Sequence, residues 1–443
     1  MKTIFIAMFA MLLAPCGSHA QDPSPHQSTV ESQLKRDVNL FHSHATEADP
    51  ALDDYIRIAL DTNLGLRAAF DTWQAALQEI PQARALPDPT FQWTHFIEEI
   101  QTRTGPQNNR FILSQKIPWK GKRAEAANMA QDQSEAVWWQ AVSLRTTIVR
   151  DLKQAYYEYA DLAQNIRIVG ENLSLLQNLE PVVQSRIRGG ANQSDLLRLQ
   201  VEIGKLENEL QSLEKIRPAL DVRLKALLNR DSGAVEPWPS TPRPTEITYR
   251  IEDLRTRLTS NNPDLKVIAQ GISRARHNVI RQTLEKKPDF TVGLTYIDTG
   301  HAKGNLAPSD SGDDPFGFTV GISIPIWRNK LDAGVRQARY EESSGQHQLA
   351  QIRKNLLARL ELHVYRLENA EREMALYQNT LIPRSRQTLE LVQVGYESGK
   401  TSLFDLIDTE REMLGFEKSY WRAVNDYGQS AADIEALCGG DLS

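Results

Sequence analysis

Two kinds of hydrophobic pattern alternate along this chain. Short segments in which every second residue is apolar predict β-strands, and the clearest of these begin at Phe290 and Phe316. Long segments with apolar residues at steps of three and four predict coiled-coil helices. One such seam runs from Leu196 to Leu227 and has Arg217 at its single polar position. The chain therefore combines a few strands with very long helices.

The order of these segments occurs twice. Pro87-Asp88 returns as Pro288-Asp289, Ile117-Pro118 returns as Ile324-Pro325, and Gly189 before Asp195 returns as Gly399 before Asp405. An offset of roughly 200–210 positions throughout indicates a duplicated unit. Each unit reads as a helix, two strands, a long helix, a turn and a second helix. We predict repeats at 50–230 and 248–437, a Pro-rich linker at 231–247 and a C-terminal tail at 438–443.

The N-terminal segment has the features of an export signal. Lys2 precedes an apolar run from Ile4 to Ala14, and small residues stand at the positions that a signal peptidase recognises before Gln21. Residues 1–20 are therefore predicted to be a signal peptide, and the polar residues 21–49 a flexible arm. Cys16 leaves a lipoprotein open as a second interpretation, although Pro15 before it suits lipid attachment poorly.

Composition excludes several classes of protein. The 443 residues carry a net charge of −6, which argues against a nucleic-acid partner because there is no basic excess to neutralise phosphates. A hydrophobic content of 40% excludes a bundle of membrane-spanning helices. Two cysteines exclude a disulfide scaffold or a Cys-based zinc site. Because no catalytic or metal-ligand motif is found, we expect no enzymatic activity, no cofactor and no bound metal.

The predicted strands have the length and pattern of membrane strands. Each is close to the 9–11 residues that a tilted membrane strand needs, with one apolar face and one small or polar face. The predicted membrane-facing residues are Phe91, Trp93, Phe111, Leu113, Phe290, Val292, Leu294, Tyr296, Phe316, Phe318, Val320, Ile322 and Ile324. Two hairpins packed on a soluble core would explain the alternation equally well. If the strands do cross a membrane, four of them cannot close a barrel, and the chain must oligomerise.

The whole set of motifs resembles the TolC family of outer-membrane efflux ducts. The resemblance covers about 50–437 and rests on the duplicated order, on the run from Ser114 to Arg123 and on the run from Gly399 to Asp408. It implies an α+β membrane protein in the outer membrane of a Gram-negative bacterium. Three chains would form a homotrimer whose 12-stranded β-barrel continues as a long α-helical coiled-coil barrel in the periplasm.

The same resemblance implies function and partners. The chain would be the passive outer-membrane channel of a tripartite efflux system. Its partners would be a periplasmic adaptor and an inner-membrane pump of the proton-driven resistance-nodulation-division type. The Ser-Gln-x-x-Pro-Trp run starting at Ser114 looks most like the heavy-metal branch of the family, so metal cations are a candidate substrate. The alternative is a periplasmic coiled-coil adaptor, or a structural envelope protein with no channel of its own.

The resemblance also marks candidate site residues at the hairpin tips. Asp405 and Asp408 match carboxylates that narrow the periplasmic entrance in the family, and Asp195 and Arg198 are their counterparts in the first repeat. A helix cap explains the two acids as well, because both fall in a first helical turn. The tip turns, with Gly189, Gly399, Lys400 and Thr401, are expected to contact the adaptor.

A basic run follows the second strand, where the barrel would join the helices. The junction residues are Pro118, Pro325, Lys120, Lys122 and Arg123. Cations at a helix start oppose the helix dipole, so another interaction is needed to favour them. One hypothesis is binding of outer-membrane phospholipid headgroups at the periplasmic rim of the barrel. Plain solvation of these charges is the alternative.

Overall fold

A computed structural model describes residues 50–440 except for 191, 231–232, 234, 240, 243–248 and 304–307. The expected signal peptide, the N-terminal arm and residues 441–443 of the tail lie outside these residues. The first half contains α1 (Pro50–Thr62), α2 (Leu64–Arg84), β1 (Thr90–Thr102), β2 (Gly105–Ile117), α3 (Lys122–Arg188) and α4 (Gln193–Leu227). The second half contains α5 (Ile251–Asn261), α6 (Pro263–Leu284), β3 (Asp289–Thr299), β4 (Phe316–Ser323), α7 (Arg328–Leu376), α8 (Ile382–Glu397) and α9 (Leu403–Leu437).

The helical hairpins are rods rather than parts of a globule. Helix α3 has 67 residues and therefore spans about 100 Å at 1.5 Å per residue. It packs against α4 of its own half and against α6 and α9 of the other half. Within the described residues, no helix is both long enough and apolar enough to cross a membrane.

The second long helical run departs from the sequence expectation. The second unit was expected to have one long helix after its two strands, but a π-helical segment, Tyr377–Leu381, separates α7 from α8. Pro383 follows directly: it lacks an N–H, and its ring crowds the carbonyl four residues earlier, at Asn379. The wider π turn relieves that conflict. In α3, Pro181 is accommodated without such a segment.

The four strands form one antiparallel sheet in the order β1-β2-β3-β4. The central pair, β2 and β3, joins the two halves of the chain. Ile324 was predicted to be a strand residue, but β4 ends at Ser323, which pairs with Asp289 at the start of β3. The ladder has no further partner residue there, and Pro325 cannot donate a backbone hydrogen bond.

Three large clusters of buried side chains hold the helices together. One belongs to the first half and includes Leu152, Tyr159 and Leu224. Another belongs to the second half and includes Leu360 and Ile434. The third lies towards the hairpin tips and combines both halves. Its members include Leu173, Leu176, Leu199 and Ile203 from the first hairpin and Leu403, Leu406 and Ile407 from the second. Side chains of both hairpins therefore pack together near the tips.

Candidate functional site

The apolar residues of the sheet line up across all four strands. Trp93 pairs with Phe111, Phe111 with Tyr296, and Tyr296 with Phe316, which makes one continuous aromatic row. The next row on the same face is Phe91, Leu113, Leu294 and Phe318. Because residues two apart on a strand share a face, the predicted membrane-facing residues within the strands form one surface.

The two faces of the sheet differ sharply in chemistry. On the apolar face, Phe318 is 67% exposed and Val320 is 63% exposed. On the other face, Gly293, Thr295, Gly317 and Thr319 leave a surface of small and polar groups. Within the described chain, β1 and β4 each pair on one side only. The sheet thus presents a bare apolar face and two open edges.

The turn of each hairpin requires one residue in the left-handed region. In the second hairpin this residue is Gly399, with φ +79°. In the first hairpin it is Gly190, with φ +102°, rather than Gly189, which ends α3 with φ −84°. Near Gly399, the Lys400 N–H donates to the Gly395 carbonyl at 2.7 Å. The predicted tip residues therefore do lie in the two turns, and their contact with an adaptor stays a prediction.

Asp405 caps the helix that follows the second turn. The Ser402 hydroxyl donates to the Asp405 carboxylate at 2.7 Å, and the Asp405 N–H donates to the Ser402 hydroxyl at 3.1 Å. The hydroxyl, followed by the Ser402 N–H, holds the pKa of Asp405 below its ordinary value. A cap role is therefore present for Asp405, whereas Asp408 is exposed and takes no part in this cap. The gate role of both stays a prediction.

Two cationic side chains of the first hairpin contact aromatic rings of the second. The Arg186 guanidinium lies 4.4 Å from the centre of the Tyr396 ring and donates to the Tyr396 carbonyl at 2.5 Å. Arg198 lies 5.8 Å from the centre of the Phe404 ring, so it contacts the other hairpin. Such cation–π contacts contribute about 0.5–1 kcal/mol each at exposed sites. Sequence reasoning missed Arg186 and Tyr396, because a basic residue in a last helical turn is unremarkable.

The junction residue Lys122 is not available to a lipid headgroup. Its side chain is 9% exposed, and its ammonium forms ion pairs with Asp289 at 2.8 Å and with Glu285 at 3.1 Å. The lipid hypothesis is therefore wrong for Lys122, whose charge joins α3 to the start of β3 instead. Arg123 donates to the Arg84 carbonyl at 2.9 Å, and Lys120 is exposed. Pro118 and Pro325 follow the ends of β2 and β4, as expected for a junction.

Two acids occupy the seam of α9, where the first hairpin has aliphatic residues. Glu410 is 5% exposed, and burial followed by repulsion from Glu417 raises its pKa to about 7. Glu417, two turns further along, also has a raised pKa because of burial. The sequence does show a Glu at a seam position of α9, but the spacing of residues does not reveal that this side chain is buried.

Comparison with known proteins finds relatives among the outer-membrane efflux proteins. Residues 254–440 match the family model "Outer membrane efflux protein". The chain is 21% identical over 440 residues to the cobalt-zinc-cadmium resistance protein CzcC of Cupriavidus metallidurans, covering 97% of this chain and 99% of that one. It is 22% identical to the pyoverdine export outer membrane protein OpmQ of Pseudomonas putida, covering 89% of this chain and 87% of that one.

Solved structures agree with this placement. The outer-membrane channel OprN superposes with a TM-score of 0.75 at 17% identity, covering 89% of this chain and 91% of that one. CusC superposes with a TM-score of 0.74 at 14% identity, covering 90% and 96%. The fold implied by the TolC resemblance is thereby confirmed. The outer-membrane location implied with it agrees with the family match and with the outer membrane protein OpmQ. Its sequence motifs, its sheet and its hairpins are thus similar to those of the outer membrane efflux proteins, a family whose model matches residues 254–440.

Proposed function

We propose that three copies of this chain form the outer-membrane duct of a tripartite efflux system. The observation that carries this proposal is the sheet, whose apolar face is exposed and whose two edge strands are open. Unpaired backbone groups are very unfavourable in lipid, so a membrane sheet must close on itself. Three sheets of four strands give a closed barrel of 12 strands.

The repeat predicts how β4 pairs with β1 of the next chain. Phe91 pairs with Leu113 in the first half as Val292 pairs with Val320 in the second, so these positions are equivalent. Between the halves, Gln115 of β2 pairs with Val292 of β3. The equivalent pair between chains is Ile322 with Phe91. A barrel of three chains thus contains two kinds of strand pairing, and each occurs six times.

The helices support the same assembly. Helix α9 of the second half packs on α3 of the first half. The equivalent contact between chains places α4 against the second long helical run of a neighbour. The matching surfaces are apolar and exposed in the single chain: Leu197 and Val201 on α4 are 60% and 58% exposed, and Leu391 and Val394 on α8 are 74% and 65% exposed. Burial of these side chains stabilises the ring of hairpins.

The duct conducts passively and depends on partners for energy. We infer a periplasmic adaptor at the tip turns around Gly189, Gly399, Lys400 and Thr401, and an inner-membrane pump of the resistance-nodulation-division type. Support for metal cations as cargo comes from CzcC, whose name is that of a cobalt-zinc-cadmium resistance protein. Three copies of Asp405 and Asp408 bring six carboxylates to the entrance, where they attract cations.

The inter-chain register is testable by disulfide cross-linking. We expect Phe91→Cys combined with Ile322→Cys to cross-link neighbouring chains on mild oxidation and to give a covalent trimer on a non-reducing gel. Within one chain these residues lie three strand spacings apart, or about 14 Å, which is too far for a disulfide. Cross-linking must therefore occur between chains.

The matched control shifts the register by four residues. Phe91→Cys combined with Phe318→Cys places the two sulfurs about 13 Å apart along the strand and should leave monomers on the gel. The single variants control for the native Cys438, which is buried. Cross-linking of the shifted pair alone would contradict the register. A chain that remains monomeric in detergent and conducts no ions in a bilayer would contradict the duct.

A further inference from the structure

One buried acid in the second hairpin has no compensating partner. Glu410 is 5% exposed, and its Oε1 accepts no hydrogen bond from any residue that the structure describes. A buried carboxylate without a partner is far less stable than a neutral carboxylic acid in the same place.

The charged groups around Glu410 are engaged elsewhere or repel it. On α9 itself, Glu417 adds a second negative charge two turns away. Arg386 of α8 lies 3.5 Å from Glu417, and Arg167 and Glu171 of α3 also face Glu417.

On the α4 side, the nearby cation is already paired. The Arg411 guanidinium forms a salt bridge with the buried Glu202. Lys205 pairs with the same Glu202 carboxylate at 3.2 Å. Neither α4 nor the neighbouring residue of α9 thus supplies a free cation for Glu410.

A helical irregularity lies on the side of Glu410 that is away from the hairpin tip. The π-helical turn Tyr377–Leu381 precedes α8, and the Tyr377 ring lies 6.1 Å from the ring of Phe416, the neighbour of Glu417. Single π turns inside α-helices often mark places where helices bend or function. The helical run opposite α9 thus has a local irregularity on this side of Glu410, whereas α9 itself is continuous.

We propose that Glu410 is a proton-operated latch of the second hairpin. As a neutral acid it allows α9 to pack against α3 and keeps the hairpin tip in the packed position. As a carboxylate it favours water, which loosens the tip and moves the part of α9 that carries Asp405 and Asp408. The link to conduction rests on the proposed channel function, whereas the movement itself does not.

The direction of the pH dependence follows from the burial of the acid. The pKa of Glu410 in the packed state is raised from 4.5 to about 7. Packing is therefore fully favoured below the ordinary pKa of a Glu, and this contribution is lost as the pH rises through about 7. The latch is closed in acid and released under mildly alkaline conditions.

The first repeat has aliphatic residues, Leu199 and Ile203, at this level of its seam. Gln200 of α4, which corresponds to Glu410 when counted from the helix caps Asn192 and Ser402, is exposed. The Gln200 side chain donates to Glu180 at 2.9 Å and cannot ionise. Only one of the two hairpins is therefore expected to respond to pH through this position.

A second acidic pair lies further from the tip on the same α3–α9 interface. Burial raises the pKa of Asp161 to about 6 and also raises the pKa of Asp426. Asn165 donates to Asp161, and Arg422 faces both acids. Since this pair also titrates, the test must isolate the change that depends on Glu410.

The test is hydrogen–deuterium exchange of the purified full-length protein in detergent micelles at pH 6 and pH 8. Exchange in residues 396–415 is corrected for the intrinsic pH dependence of amide exchange. We expect at least a tenfold loss of protection at pH 8 in the native protein, and no such loss in Glu410→Gln. Glu412→Gln, an equal charge change at an exposed position of α9, should behave like the native protein.

The same loss of protection in Glu410→Gln as in the native protein would overturn the latch, as would equal protection of the native protein at both pH values. Conductance of single channels in planar bilayers tests the link to function. We expect it to rise from pH 6 to pH 8 in the native protein and to stay low in Glu410→Gln. A pH-dependent exchange without any conductance would leave the latch standing and overturn the proposed channel.

Discussion

In the first hairpin, α3 and α4 meet along a seam of aliphatic side chains such as Leu173, Leu199 and Ile203. In the second hairpin, α9 places Glu410 and Glu417 in its seam, and the opposing helical run contains a π turn. Both hairpins have a glycine turn and a capped second helix. The shared features are those needed to form a hairpin at all.

The difference between the hairpins indicates a division of roles. An aliphatic seam is stable at every pH, whereas buried acids make packing depend on protonation. Residues of the first hairpin, Arg186 and Arg198, contact the tip of the second. We interpret the first hairpin as a fixed wall and the second as the adjustable one. Substitutions at the joint between the halves, at the tips and at the helix caps test this division of roles.

Lys122→Met should have the largest effect, because it removes the buried cation that joins Asp289 and Glu285 and leaves Asp289 only the exposed Lys116, at 3.3 Å. Removing one partner of a buried ion pair destabilises a protein by about 3–5 kcal/mol. We expect a loss of folded trimer, measured by thermal unfolding and by heat-modifiable gel mobility. Lys120→Gln, at an exposed position two residues away, should leave both unchanged; an equal loss there would show that burial is not the cause.

Arg186→Ala should separate the two tips without unfolding either hairpin. The lost cation–π contact and charged hydrogen bond together stabilise the contact by about 1–3 kcal/mol. We expect greater hydrogen exchange in α8 and α9 near the tip, with α3 and α4 protected as before. Arg188→Ala, at an exposed position of the same last turn, is the matched control. Equal loosening of both hairpins would contradict the division into a fixed and an adjustable wall.

The two helix caps allow a direct comparison between the repeats. Loss of a capping side chain destabilises a helix end by about 1 kcal/mol. Ser402→Ala removes the two hydrogen bonds that the hydroxyl makes with Asp405, whereas Asn192→Ala removes a single one, which the side chain accepts from the Ser194 N–H. We therefore expect the larger rise in exchange of the first helical turn for Ser402→Ala. Equal effects would mean that the Asp405 carboxylate contributes little to the cap.

Asp408→Asn should change conduction and leave stability unaltered. Asp408 is exposed, and substitutions at such positions change stability by less than about 0.5 kcal/mol. If the entrance carboxylates attract cations, the variant should show weaker block by a divalent cation in single-channel recordings. Unchanged block, also in combination with Asp405→Asn, would contradict an entrance role for both acids and leave the helix cap as the role of Asp405.

Local patterns were sufficient to predict the frame of this fold. Alternation at Phe316–Ser323, the heptad steps of α4 and the repeated Pro-Asp and Gly landmarks identified all four strands and both hairpins. These features depend on neighbours along the chain, and sequence spacing reports them directly. The break at Tyr377–Leu381 was missed, although Pro383 was visible, because Pro181 shows that a proline need not interrupt a long helix.

The sites depended on contacts between the halves, which spacing does not report. Lys122 looked like part of an exposed basic run until its distance to Asp289, 167 residues away, was known. Glu410 was visible in the seam, but its burial requires the packing of α9 on its neighbours. Gly189 and Gly190 are adjacent, and only backbone angles distinguish which of them forms the turn.

The π turn also has a consequence for the length of the chain. Helix α3 has 67 residues, whereas the run from Arg328 to Glu397 consists of 49, 5 and 16 residues, three more in all. Three extra residues in an α-helix would lengthen the second hairpin by about 4.5 Å. A π turn contains more residues than an α-helical turn, so it accommodates part of the three-residue excess with less added length. The segment is thus the kind of site at which, after duplication, one copy can gain residues while both tips still end at a common level.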